Sequence, residues 1–136
     1  MKAFRVIPVL IVLALVIPTM IVSAQGIPPV PQVPADGNYV VDELNWLTSE
    51  QKTQINQIVS KLDSDGIAEI GVLTKDDCGD DVTRYRYEVF NTWGIGHANK
   101  NNGLLIAVCW YGGDENKRSV AQEVGYGLEG TLPDTL

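Results

Sequence analysis

The stretch from Gly103 to Tyr111 is the most apolar part of the chain after its N-terminal segment. A polar loop precedes it and Gly112 and Gly113 follow it, so the run has the length and the boundaries of a strand buried within a sheet. Ser119 to Val124 comes after the glycine turn and is predicted to return as an antiparallel hairpin partner. A sheet is therefore predicted at the centre of the fold.

Two amphipathic helices and two further strands precede this hairpin. Thr48 to Gln51 is a capping box that begins the first helix, and Asp80 or Asp81 can cap the second, which ends at Gly94. Apolar residues recur at helical spacing in both helices: Ile55, Ile58, Val59 and Leu62 in the first, and Val82, Tyr85, Val89, Phe90 and Trp93 in the second. Ile67 to Thr74 is predicted as a core strand and Asn38 to Asp42 as an edge strand.

The resulting order is strand, helix, strand, helix, strand, strand. Strands that are joined across a helix are expected to be parallel, with a right-handed crossover. The sequence therefore predicts an α/β fold in which helices pack on a small mixed β-sheet, and this domain spans residues 38–136.

The N-terminal residues 1–24 are predicted to be a signal peptide or a membrane anchor. Lys2 and Arg5 precede an apolar run from Val6 to Val22, and the small residue Ala24 suits signal peptidase. Cleavage is favoured, although the run is long enough for a retained anchor. The domain is thus predicted to be exported: secreted, periplasmic or anchored to the outer face of the cytoplasmic membrane. Residues 25–37 are proline-rich and are predicted to be an extended linker, either a tether or a disordered leader.

The exported domain is acidic. Removal of Lys2 and Arg5 from the 10 basic residues leaves 8 against 17 acidic ones, a formal net charge of −9. Such a surface repels nucleic acid and anionic lipid headgroups and favours cations or basic partners. We therefore expect no nucleic-acid partner, and a contact with membrane only through the N-terminal segment.

Cys78 is placed just past one predicted strand, and Cys109 is placed at the end of another. An even number of cysteines in an oxidising compartment permits one disulfide, and these two could lie at the same edge of the sheet. Two unpaired, partly buried thiols are the favoured alternative.

A dinucleotide-binding pattern, G-x-G-x-x-G, is matched by Gly125, Gly127 and Gly130. It follows a predicted strand, but it lies near the end of the chain instead of in a first βα turn, and no acidic residue lies about twenty positions further on. The preferred interpretation is structural: the glycines provide positive φ and close backbone approach.

Four acidic residues form the predicted metal site. Asp76 and Asp77 follow the predicted strand that ends at Thr74, and Glu129 and Asp134 follow the last strand. Ligands collect at the carboxyl ends of parallel strands, and oxygen ligands without His or Cys suit calcium or magnesium. Because the last strand is antiparallel, its two acids reach the aspartate pair only if the chain folds back over that edge. For each acid alone, a solvated position or a helix cap is the alternative.

Several segments together resemble the TPM domain family, over about Val40 to Asp134. The segments that carry the resemblance are Val41-Asp42, the capping box Thr48 to Gln51, Phe90 to Gly96, Asn101 to Ile106, Glu123 to Gly130 and Leu132 to Asp134. Family members continue past the position of Asp134 with further helices. The resemblance therefore implies that the domain is incomplete at Leu136 and that the sequence is truncated, with Thr131 to Leu136 beginning an unfinished helix.

The same resemblance implies a function. Calcium binding is associated with TPM domains, as are roles in the maintenance of membrane complexes. The resemblance implies an exported accessory factor that binds a divalent cation and acts on membrane or envelope protein complexes, with a membrane-associated protein as its partner. The alternative that it implies is a metal-dependent acid phosphatase.

No catalytic residue is assigned from the sequence. No Ser or Cys lies in a nucleophile elbow, and the one histidine, His97, is interpreted as a solvated loop residue. Phosphatase chemistry must neutralise the phosphoryl oxygens, and near the acidic residues the chain offers only Lys75, Arg84 and Arg86. Any hydrolysis would thus depend on a metal ion.

Overall fold

The computed structural model describes residues 26–35, 37–114 and 116–132. The predicted signal or anchor (residues 1–24), Asp134 and most of the predicted final helix lie outside these residues. No helix within the described ranges is long and apolar enough to cross a membrane.

A mixed sheet of four strands forms the centre of the domain, as predicted. Its strands are β1 (Val40–Asp42), β2 (Glu69–Lys75), β3 (Gly103–Cys109) and β4 (Ser119–Val124), and they lie in that order across the sheet. β1, β2 and β3 are parallel, and β4 returns antiparallel to β3. The starts of β2 and β3 therefore share one edge with the end of β4.

Two helices follow the capping signals in the sequence. α1 (Ser49–Ser64) begins with the predicted capping box, in which Gln51 N donates to Thr48 Oγ1 at 3.2 Å and Thr48 N donates to Gln51 Oε1 at 2.8 Å. α2 (Val82–Trp93) is capped by Asp81, whose Oδ1 accepts from Arg84 N at 2.9 Å. Gly94 ends α2 at φ 65°, in the left-handed region that glycine occupies without strain. The predicted α/β order is confirmed.

The main core lies between α2 and one face of the sheet. Leu73, Leu105 and Ala107 point to this face from β2 and β3, and all are buried. The buried α2 side chains Tyr85, Val89 and Trp93 pack on them. The helical stripe predicted for α2 is thus the stripe that covers the sheet.

The opposite face of the sheet is covered only in part. α1 contacts β1 and β2, and its Val59 is buried there, as is Val40 of β1. Over β3 and β4, Ile106 and Val120 remain 36% and 75% exposed. An apolar strip on this face is therefore open to solvent among the described residues.

The proline-rich segment is extended, and it contacts the domain instead of standing clear of it. Trp93 Nε1 donates to Pro31 O at 3.0 Å, and Tyr85 OH donates to Pro29 O at 3.3 Å. Ile27 and Val30 pack against the core residues beneath them. From Gly26 onward, this leader is a packed layer on α2, which the sequence did not predict.

A disulfide joins Cys78 to Cys109, with a Cα–Cα distance of 5.9 Å. Cys78 follows β2 and Cys109 ends β3, so the parallel register brings the two residues to the same edge. The favoured prediction of two unpaired thiols was wrong. The two strand ends lie so close that pairing requires no displacement of the backbone.

Candidate functional site

The carboxyl ends of β1, β2 and β3 form one edge of the sheet, which we call the carboxyl edge. Asp76 and Asp77 lie there, directly after β2. Asp76 Oδ1 accepts from Gly112 N at 2.6 Å, and its backbone oxygen accepts from Tyr111 N. Asp77 Oδ1 accepts from Gly79 N at 2.7 Å. One oxygen of each aspartate thus holds a neighbouring turn.

A cavity of about 520 Å³ opens beside this aspartate pair. Asp77, Asp80 and Asp81 line it together with the cations Arg84 and Lys117. Its wall also includes Tyr111, whose pKa is raised by burial and by the negative charges of Asp77 and Asp80. The carboxyl edge therefore carries an acid-lined cavity with a negative local potential, and with two basic groups on its wall.

The other predicted ligands are not brought to this cavity. Glu129 lies past the end of β4, and Val124 of β4 pairs with Leu104 at the start of β3. The 7 residues of β3 separate that edge from the carboxyl edge by about 20 Å. Glu129 instead lines a second cavity of about 310 Å³, beside Glu123 and Tyr87. The chain after Val124 does not fold back as the predicted set required, and Asp134 lies outside the described residues.

Asp42 is a buried acid of the carboxyl edge that the sequence did not single out. Its side chain is 0% exposed and lies 2.9 Å from Lys52 Nζ. Thr74 Oγ1 donates to it at 2.5 Å, Leu47 N at 3.0 Å and Trp46 N at 3.1 Å. Burial opposes ionisation, but these donors outweigh it and hold the pKa of Asp42 well below its usual range. Asp42 therefore joins β1, β2 and the start of α1 as a structural carboxylate.

A group of three metal-ligating side chains lies at the opposite edge, which we call the amino edge. It comprises Asp63 near the end of α1, Glu69 at the start of β2, and His97 in the loop before β3. One ligand atom of each residue lies within 4.8 Å of the other two. This group was not predicted from the sequence, because its members belong to three different segments. The signal that could have found it is the parallel order of β2 and β3, which brings their preceding loops to one edge.

The glycine pattern near the end of the chain is part of the packing at the amino edge. A Cβ at Gly125 would collide with Asn101 O, and one at Gly127 with Lys100 O. Both glycines also donate backbone hydrogen bonds of 2.9 Å, to Gly103 O and Asn101 O. Close approach was predicted correctly, but the predicted positive φ was wrong, since neither glycine has one. The space that a pyrophosphate would need is filled by protein backbone.

The comparison with known proteins agrees with this architecture. The family model described as the TPM domain matches residues 40–136. The chain belongs to the TPM domain family. The TPM domain is also similar to a solution NMR structure of the N-terminal domain of a protein from P. gingivalis, with 32% identity and a TM-score of 0.60. The alignment covers 72% of this chain and 60% of that one, so the TPM domain here spans less than two thirds of that neighbour. No curated protein is detectably similar in sequence.

Proposed function

We propose that this TPM domain is an exported accessory domain that binds a divalent cation at the carboxyl edge and acts on membrane or envelope protein complexes. The observation that carries the proposal is the cavity lined by Asp77, Asp80 and Asp81. Calcium takes six to eight oxygen ligands at about 2.3–2.6 Å and accepts water among them, so an open cavity lined by carboxylates suits it. Magnesium suits the same oxygens but retains more of its water.

The ligand set in this proposal differs from the one expected from sequence. Asp77 remains as a ligand, and Asp80 and Asp81 replace Glu129, which lies at the amino edge. Asp76 becomes a positioning residue, because its Oδ1 holds Gly112 N and thereby the turn that carries Tyr111. The cavity lining carries three aspartates against the two cations Arg84 and Lys117, and this excess of negative charge supports cation binding here.

The choice of partner rests on charge and on export. An acidic domain favours a basic partner surface, and the predicted N-terminal signal brings the domain to the envelope. We propose a membrane-associated protein as that partner. The cation would reduce repulsion among the carboxylates and order the loop between β2 and α2 for binding.

Calcium is expected to stabilise the wild-type protein, and its binding should give a measurable heat in a calorimetric titration at millimolar ion. At a concentration one hundred times Kd, the gain in the free energy of unfolding is about 2.7 kcal/mol. Asp77→Asn with Asp80→Asn should weaken binding at least tenfold, about 1.4 kcal/mol. Asp65→Asn with Glu88→Gln is the matched control, since Asp65 is exposed, Glu88 is partly exposed and both acids lie outside the cavity. No heat and no stabilisation at millimolar calcium or magnesium would remove the cation from the proposal.

A metal-dependent acid phosphatase is the second candidate function. It is favoured by Arg84 and Lys117, which line the same cavity as the three aspartates and could neutralise phosphoryl oxygens beside a bound ion. The enzyme hypothesis therefore needs no further site. It differs from the accessory hypothesis in requiring turnover.

If the domain is a phosphatase, calcium or magnesium should stimulate cleavage of an aryl phosphate by the wild-type protein. Asp76→Asn with Asp77→Asn should then lower kcat/KM at least tenfold, which is about 1.4 kcal/mol of barrier. Release of the phenolate chromophore is the measured signal, and Asp65→Asn is the control. Undiminished cleavage by a folded double variant would exclude the enzyme hypothesis.

A further inference from the structure

The amino edge carries a set of ligands with a chemistry different from that of the carboxyl edge. Asp63 and Glu69 supply carboxylate oxygens and His97 supplies an imidazole nitrogen. Calcium and magnesium prefer oxygen ligands alone, whereas imidazole together with carboxylates suits zinc and similar first-row ions. The two edges are thus chemically distinct as cation sites.

Both carboxylates of this group are oriented by neighbouring donors. Tyr39 OH donates to Asp63 Oδ2 at 2.9 Å, and Gly96 N donates to Glu69 Oε2 at 2.7 Å. Hydrogen bonds from outside a ligand set that fix the ligand orientation are a general property of metal sites in proteins.

The three ligand atoms lie near enough to one another for small side-chain movements to bring them onto one tetrahedral ion. Two ligands at about 2.0–2.2 Å from zinc lie about 3.4 Å apart. His97 Nε2 lies 2.8 Å from Asp63 Oδ1, and all three ligand atoms lie within 4.8 Å of one another. The His97 side chain is 45% exposed, so its ring can move to the position that a bound ion would require without disturbing the core. A cavity of about 270 Å³ lined by Asp63, Glu69 and Tyr39 gives access from solvent.

We propose that Asp63, Glu69 and His97 form a zinc-class site, with the fourth position open to water or to a ligand atom from a partner. This site is separate from the one proposed at the carboxyl edge and does not depend on it. Neither a cysteine thiolate nor a second imidazole competes for the ion. The two cysteines of the chain are joined in the disulfide, and His97 is its one histidine.

The test uses the full chain, produced without a polyhistidine tag, and zinc chloride as the probe. Calorimetry at pH 7.5 should show one zinc ion per chain. His97→Gln and Glu69→Gln should each weaken binding at least tenfold, which corresponds to about 1.4 kcal/mol. Glu69→Gln retains an amide oxygen that can accept from Gly96 N, so loss of the ligand is separated from loss of the fold. The one imidazole gives a single set of ¹⁵N ring resonances, and Nε2 should shift on addition of zinc.

Asp76→Asn with Asp77→Asn is the matched control, because it lies at the carboxyl edge. It should leave zinc binding unchanged and should change only the response to calcium. Absence of zinc binding by the wild-type chain, or an affinity of His97→Gln and Glu69→Gln equal to that of the wild type, would overturn the zinc site. A calcium titration that fails while zinc binding persists would overturn the carboxyl-edge proposal alone.

Discussion

Replacement of both cysteines by alanine, Cys78→Ala with Cys109→Ala, is expected to lower the free energy of unfolding by about 3–4 kcal/mol. The two residues are 31 positions apart, so the disulfide restricts a loop of substantial length in the unfolded chain. Both are also fully buried, at 0% and 1% exposure, so the alanines leave small voids beside Tyr85 and Ala107 in the core. Urea unfolding of the variant and the wild type measures the difference, which corresponds to roughly 10–15 °C in Tm.

A reduced wild-type sample separates the covalent link from the packing. Dithiothreitol breaks the link but keeps both sulfur atoms in the core, so the reduced protein should lie between the oxidised protein and the alanine variant. A reduced sample that unfolds at the same urea concentration as the oxidised one would show that the link between β2 and β3 contributes nothing to stability. The urea concentration at the unfolding midpoint is expected to be highest for the oxidised protein, lower for the reduced protein and lowest for the alanine variant.

Asp42→Asn is expected to lower the free energy of unfolding by about 3 kcal/mol at pH 7, the low end for loss of one member of a buried ion pair. Asparagine keeps the shape but loses the charge, and its amide NH₂ group faces donors where an acceptor is needed. Asparagine keeps only one of the two oxygens, so either Leu47 N, which donates to Oδ2, or Thr74 Oγ1, which donates to Oδ1, loses its acceptor. Lys52, which is 35% exposed, recovers some hydration. Chemical unfolding at pH 7 gives the magnitude, and Asp65→Asn is the control for removal of an exposed charge.

The effect of Asp42→Asn should depend on pH. The pKa of Asp42 in the folded state is lowered from its ordinary value of 3.8, so the folded protein binds this proton less tightly than the unfolded chain does. The carboxylate therefore contributes its full stability above about pH 5 and loses that contribution as pH falls below 4. The difference between wild type and variant should be largest at pH 7 and smaller at pH 3. A difference that is constant over this range would contradict a role for the ionised carboxylate.

The secondary structure could be predicted because its signals are local. The capping box at Thr48 and the glycine at position 94 bound the helices, and the periodic apolar residues of α2 indicate the buried face. The relative directions of the strands followed from general rules for strands joined by helices and hairpins. All of these depend on residues that are near one another in the sequence.

The candidate sites were predicted less well because they depend on which edge of the sheet each loop reaches. Glu129 was grouped with Asp76 and Asp77 although β4 runs antiparallel and carries it to the amino edge. His97 was interpreted as a solvated loop residue because its neighbours Asp63 and Glu69 come from α1 and β2. The docking of the leader on α2 was not predicted either, since proline residues indicate an extended chain but not what it contacts.

With a retained N-terminal anchor, the packed leader would limit how far the domain can stand from a membrane. If the N-terminal run is retained as an anchor, three residues, and thus four Cα–Cα steps, separate its end at Val22 from Gly26, which is already part of the folded unit. An extended chain spans at most about 3.6 Å per residue, so the standoff would be about 14 Å or less. Gly26, Ile27 and Pro28 line the acidic cavity of the carboxyl edge. The cavity would then be held in the layer of solvent next to the bilayer, and membrane-associated partners would reach it by lateral diffusion in the membrane plane.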